Sequence, residues 1–173
     1  VTVVIDPGRK TGVAIYEGTT PIVAAFTDAT PAEAHDLLSW SKARGHTHLV
    51  VEDQHAPRDP KRFSWPRLMT LVRSAHRWVV IGELLGFVIE RPKSSEWQSV
   101  MFRPIPTHDV DTGKKLTTKH RSKLVVAATF DWLPRFKQGE SPEDARLVPA
   151  AKLPHDICDA VVMGRWHRLH RSS

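Results

Sequence analysis

The chain has 173 residues, enough for one domain with a substantial core. Its single cysteine, Cys158, excludes an internal disulfide framework or a Cys-rich zinc site, and no apolar run approaches a membrane span. A formal charge of +6, with ten histidines besides, points to a polyanionic partner, most simply nucleic acid. Together these features suit a protein of the reducing cytoplasm with no membrane association, and the first residues read as a strand rather than a signal peptide.

Val3, Val4 and Ile5 form a β-branched run suited to a central strand covered on both faces. The run ends in Asp6, followed by Pro7, Gly8, a polar turn, Gly12 and a second apolar run. Residues 1–16 therefore read as two antiparallel strands with a carboxylate at the end of the first. Asp, Pro and Gly are also ordinary turn residues, and the same pattern serves phosphate-binding hairpins of sugar kinases and actin-like ATPases. Those proteins need a second Gly-rich loop and a larger second lobe, and the sequence has neither.

Residues 20–26 read as a third strand. Thr30, Pro31 and Glu33 form a capping box that opens a helix to about Arg44, with Gly45 as its stop. Residues 48–52 are a short strand ending in Glu52. A strand after a helix is expected to pair in parallel with the first, which places Asp6 and Glu52 at neighbouring carboxyl ends. Strand alternation turns Asp53 to the other side.

The polar stretch 54–63 reads as a loop carrying His55, Arg58, Lys61 and Arg62. A long helix over 67–86 follows, with Arg73 and Arg77 four apart on one side. Residues 87–91 form a fifth strand stopped by Pro92, and 94–102 form a short helical turn bearing Trp97. Residues 103–116 read as a mobile surface loop. Thr117 or Thr118 caps a helix over 119–132, residues 134–149 are charged and irregular, and a last helix runs over 154–170. The expectation is an α/β chain forming a single domain over 1–173, with a five-stranded mixed sheet and helices on both faces.

Asp156 and Asp159 lie three apart, on one face of the last helix. The helix dipole favours acids in a first turn, and that alone would account for them. If the helix packs across the strand ends, however, four carboxylates meet, and divalent cations would relieve their repulsion. Oxygen-only ligands select Mg²⁺ or Mn²⁺. Two such ions about 4 Å apart can activate water and stabilise the leaving oxygen of a phosphodiester.

Val4-Ile5-Asp6-Pro7-Gly8 with Thr11-Gly12, then Val50-Val51-Glu52, then Asp156 and Asp159-Ala160, resembles the RuvC-like Holliday junction resolvases of the ribonuclease H-like fold. The resemblance runs end to end and in order. Compact size and loop differences resemble a phage-encoded member. The resemblance implies a homodimeric nuclease of the bacterial or phage-infected host cytoplasm that resolves four-way junctions and other branched DNA. It implies two ions per active site held by Asp6, Glu52, Asp156 and Asp159, with products bearing 5′-phosphate and 3′-hydroxyl ends.

His155 adjoins Asp156 and is an auxiliary ligand or proton-transfer candidate, or a plain helix-start histidine. Lys119 matches the family's basic residue near the active site and equally reads as a solvated lysine. Phosphate contacts are expected from His55, Arg58, Lys61 and Arg62, from Lys114, Lys115, Lys119, Arg121 and Lys123, and from the tail 165–171. Cellular members often carry an aromatic shortly after the strand glutamate, where this chain has His55, with Phe63 and Trp65 beyond. The apolar helix 67–86 is the candidate dimer interface. Two rival readings are a YqgF-type nuclease of the same fold acting on RNA or flaps, and a non-catalytic junction-binding module.

Overall fold

The computed structural model describes residues 1–54 and 64–171. His55, Arg58, Lys61, Arg62 and Phe63 lie outside the described residues. The strands are β1 (Thr2–Asp6), β2 (Lys10–Tyr16), β3 (Pro21–Thr27), β4 (His48–Val51), β5 (Val88–Glu90), β6 (Trp132–Arg135) and β7 (Arg146–Pro149). The α-helices are α1 (Pro31–Ala43), α2 (Trp65–Leu84), α3 (Ser94–Met101), α4 (Thr118–Thr129) and α5 (His155–Arg171).

The strands form one mixed sheet in the order β5-β4-β1-β2-β3-β6-β7. β1, β2 and β3 form an antiparallel meander, and β4 pairs with β1 in parallel, with Thr2 opposite His48 and Ile5 opposite Val51. The sheet has seven strands rather than the expected five. β6 and β7 arise at and beyond the end of the expected helix 119–132, in the stretch read as irregular. Each spans four residues, and both are rich in Pro and Arg. Strands that short carry too few alternations to show a period of two. Pairing supplies what the pattern lacks: the Phe136 amide donates to the Val23 carbonyl at 3.1 Å, and Leu133 opposite Val148 closes the antiparallel pair.

Alternation along β1 divides the core. Val3 and Ile5 join Val13, Leu49 and Val51 against Leu37 and Leu38 of α1 and Trp78 of α2. Val4 joins Ala14 and Val50 against Trp97 of α3, Val126 of α4, and Ile157 and Val161 of α5. Helices therefore cover both faces. Burial on both sides explains why β1 reads as an unbroken apolar run.

The helix starts follow the caps in the sequence. The Glu33 amide donates to Thr30 Oγ1 at 3.2 Å, and the Thr30 amide donates to Glu33 Oε2 at 2.8 Å. Thr117 caps α4 through the His120 amide. Within 103–116, the stretch expected to be a mobile surface loop, residues 107–116 form a hydrogen-bonded turn. Asp109 accepts from the Thr112 amide at 2.8 Å, and the Leu116 amide donates to the Thr107 carbonyl at 2.9 Å. Among the described residues, no helix is long and apolar enough to cross a membrane.

Candidate active site

The even-numbered side chains of β1 face α5, so Asp6 follows Val4 toward that helix. The Glu52 amide donates to the Ile5 carbonyl at 3.1 Å, extending the β1–β4 ladder by one residue. Glu52 therefore sits beside Asp6 and shares the face of Val50. Asp53 accepts from Arg91 NH2 at 2.6 Å on the neighbouring β5 side.

α5 reaches these strand ends through a backbone contact. Gly12 is the register partner of Asp6. A Cβ built on it would stand 1.9 Å from the Asp156 carbonyl oxygen. Only glycine lets the first turn of α5 lie directly on β2. Farther along, a Cβ on Gly164 would meet the Tyr16 ring at 2.4 Å, so the helix is close to the sheet there as well. Tyr16 fixes the pairing by donating its hydroxyl to the Val161 carbonyl at 2.7 Å.

Asp6, Glu52, Asp156 and Asp159 consequently line one cleft of about 500 Å³, together with Lys10 and Lys119. Burial pushes the Asp6 carboxyl well above the usual carboxylate range, and repulsion from Glu52, Asp159 and Asp156 adds to the rise. Asp6 and Glu52 are close enough to share a hydrogen bond. Burial likewise raises Asp159 to about 7, with Glu52 and Asp156 adding to it, against the lowering effects of the Ser122 hydroxyl and Lys119.

Neighbouring side chains hold the carboxylates in place. Trp97 Nε1 donates to Glu52 Oε1 at 3.1 Å, and Gln54 Nε2 donates to Glu52 Oε2 at 3.1 Å. Ser122 Oγ donates to Asp159 Oδ1. Sequence reasoning missed all three supports. A buried serine and a fully buried tryptophan in short amphipathic helices read as core until their partners are known.

Lys119 Nζ lies 2.8 Å from His155 Nε2, which is itself 3.0 Å from Asp156 Oδ1. Burial and the nearby Lys119, Lys123 and Lys10 lower the His155 pKa despite Asp156, which favours the neutral imidazole. Its single Nε2 either donates to Asp156 or accepts from Lys119, and the two bonds alternate with the tautomer.

Lys114, Lys115 and Lys123 are exposed on the α4 side of the molecule. Arg121 differs from them. Its guanidinium stacks 4.8 Å from the Phe102 ring and donates to the carbonyls of Phe102 and Ile105, which secures the chain ahead of the 107–116 turn.

Among the described residues, no group of three or more His, Cys, Asp or Glu side chains is arranged as it stands to hold a metal ion. The donor chemistry nevertheless fits a hard divalent cation. The four principal candidates all offer carboxylate oxygens, with His155 as the auxiliary one, and burial with mutual repulsion raises Asp6 and Asp159 in a way that a bound cation would reverse.

No protein-family model matches the chain. No curated protein matches it either. Among solved structures, the chain is similar to T. thermophilus RuvC in complex with Holliday junction substrate, at TM-score 0.58 and 14% identity, covering 98% of this chain and 93% of that one. It is also similar to the Thermus thermophilus RuvC structure, at TM-score 0.54 and 14% identity, covering 99% and 95%. The sheet, the helices on its two faces and the order of the elements thus find their counterpart in one known architecture, and in its fold the chain is RuvC-like.

Proposed function

We propose that the chain is a divalent-metal-dependent, structure-selective DNA endonuclease that resolves four-way junctions and other branched DNA. One observation carries the reading: four carboxylates from two strand ends and one helix converge in a single cleft with lysines at its rim. Mg²⁺ or Mn²⁺, two ions held by Asp6, Glu52, Asp156 and Asp159, would supply activation of water and charge stabilisation at the phosphodiester. Trp97 and Gln54 orient Glu52, and Ser122 orients Asp159, so the ligand oxygens are set before substrate arrives. Lys119 steadies a phosphate oxygen at the cleft. His155, alternating between Lys119 and Asp156, can hold or pass a proton at Nε2. The products are a 5′-phosphate and a 3′-hydroxyl.

Lys114, Lys115, Lys123 and the basic end of α5 would hold backbone phosphates, which makes binding salt-dependent. The working unit is a homodimer that joins through α2. Trp65, Met69 and Val72 repeat at i, i+4 and i+7, and are 65%, 41% and 37% exposed. They form an exposed apolar stripe that runs alongside the buried face of Ala75, Trp78 and Val79, bordering it at Val79.

The test is the Asp6→Asn protein. It should bind a four-way junction with wild-type affinity and fail to cut it in Mg²⁺. Retained cleavage would sink the mechanism. A wild-type protein that cuts flaps or RNA but no junction would move the activity to the RNA- and flap-directed nucleases of this fold.

A further inference from the structure

Arg73 and Arg77 have no part in the carboxylate site. Both belong to α2, whose core face carries Ser74, Ala75, Trp78 and Val79. At about 100° per residue, Arg73, Arg77 and Thr70 fall on a flank between that face and the apolar stripe. A second cleft of about 200 Å³ lies along this flank, lined by Arg9, Asp28, Thr70, Arg73, Ser74 and Arg77. It is continuous with the carboxylate cleft, because Gly8, Arg9 and Thr70 line both.

The floor of this second cleft is rigid. The Gly8 carbonyl accepts from Thr11 Oγ1 at 3.0 Å and from Ser74 Oγ at 3.1 Å, which ties the β1–β2 turn to α2. Three guanidiniums face one carboxylate, Asp28, which lies 3.5 Å from Arg9 Nε with both side chains largely exposed. Among the described residues, neither Arg73 nor Arg77 is in a salt bridge. Glu33 feels the charge of Arg77, but its oxygens accept hydrogen bonds from Thr30 and Gln138. Planar guanidiniums at the wall of a groove match the oxygens of a phosphodiester.

We infer that this second cleft is a phosphodiester subsite, in which Arg73 and Arg77 hold a backbone phosphate of the DNA strand whose scissile phosphate lies at the carboxylates. The inference rests on the nuclease reading and adds to it a direction: the strand leaves the carboxylate cleft between the β1–β2 turn and α2. These arginines are positioning residues. They touch a phosphate remote from the reacting one.

The test compares wild type, Arg73→Ala/Arg77→Ala, and Arg73→Lys/Arg77→Lys, with Lys152→Ala as a surface-charge control. Binding to a four-way junction, a linear duplex and a single strand is followed by fluorescence anisotropy in EDTA over a range of salt. The double alanine variant should bind about tenfold more weakly, and the slope of log affinity against log salt should fall by roughly one to two. The double lysine variant should recover most of the affinity, and Lys152→Ala should change it less than about twofold. An unchanged melting temperature shows that the loss is not unfolding. Wild-type affinity and slope in the double alanine variant on every DNA would overturn the subsite, while wild-type junction cleavage would still stand. Equal wild-type affinity for duplex and junction would instead overturn junction selectivity, and the arginine-dependent loss would still establish the subsite.

Discussion

The two ends of α5 treat charge in opposite ways. At its start, Asp156 and Asp159 meet Asp6 and Glu52, so like charges are gathered and two of the carboxyls hold protons far above their usual range. Toward its end, His167 Nε2 lies 3.0 Å from Glu90 Oε2, and Arg171 NH2 lies 3.0 Å from Glu90 Oε1. There the same helix sets an imidazole and a guanidinium beside one carboxylate of β5, and the His167 side chain is 3% exposed. One end stabilises the fold. The other stores repulsion, which has a purpose only if a cation or a phosphate-bearing ligand arrives to use it.

The sharpest way to break this contrast is to neutralise the crowded end. Asp6→Asn should lower cleavage by roughly 10³-fold or more while raising the melting temperature of the metal-free protein, since it removes a buried group that repels three others. A lower melting temperature in calorimetry would show that Asp6 is structural. Gly12→Ala should follow in size. The added methyl displaces the first turn of α5, and a misplacement of about 1 Å among reacting groups is worth roughly 100-fold in rate. Wild-type kcat in this variant would mean the helix start has slack that the structure does not show.

Trp97→Phe keeps an aromatic ring, though a smaller one, and removes the hydrogen bond to Glu52. The Mg²⁺ concentration giving half-maximal cleavage should rise about tenfold, as for other groups that orient a metal ligand. At the paired end, Glu90→Gln should leave cleavage within about twofold and cost about 2 kcal/mol of stability, because the Arg171 guanidinium loses its anion and the buried imidazole its carboxylate neighbour. Urea unfolding reads that loss directly.

A pH titration compares both ends in one experiment. Asp159 has a raised folded pKa of about 7, so between its unfolded value near 4 and pH 7 the native state binds the extra proton. Stability of the metal-free protein must then fall as pH rises through that window and stay low above it. Melting temperature should drop by several degrees from pH 5 to pH 8, and Mg²⁺ should restore most of the drop. Asp159→Asn should flatten the profile. A flat wild-type profile would mean that Asp159 is neither buried nor crowded by its neighbours.

Much of this was legible in the residues. The β1–β2 hairpin, the parallel return through β4 and the capped start of α1 all follow from period, turn chemistry and caps. So do the four acids, because each sits at an element end where the backbone dictates its direction. What the sequence hid depends on partners far along the chain. β6 and β7 are too short to show alternation and exist through pairing with β3 and each other. Ser122 and Trp97 look like core until Asp159 and Glu52 are placed beside them. Arg121 sits in a basic run with Lys119 and Lys123, yet its guanidinium is spent on the Phe102 and Ile105 carbonyls, which no charge pattern could reveal. Arg73 and Arg77 showed the reverse: their spacing was plain, but the cleft beside them was not.

The contact at Gly12 has a broader consequence. The reach from strand end to helix start is set by main chain lying on main chain, so no interior side chain acts as a spacer between the acids. Volume changes in the core around Val161, beyond the first turn, act on the helix away from that backbone contact. A site gauged in this way tolerates wholesale rewriting of its interior, and a chain sharing 14% of its residues with a RuvC structure can keep that architecture over nearly its whole length.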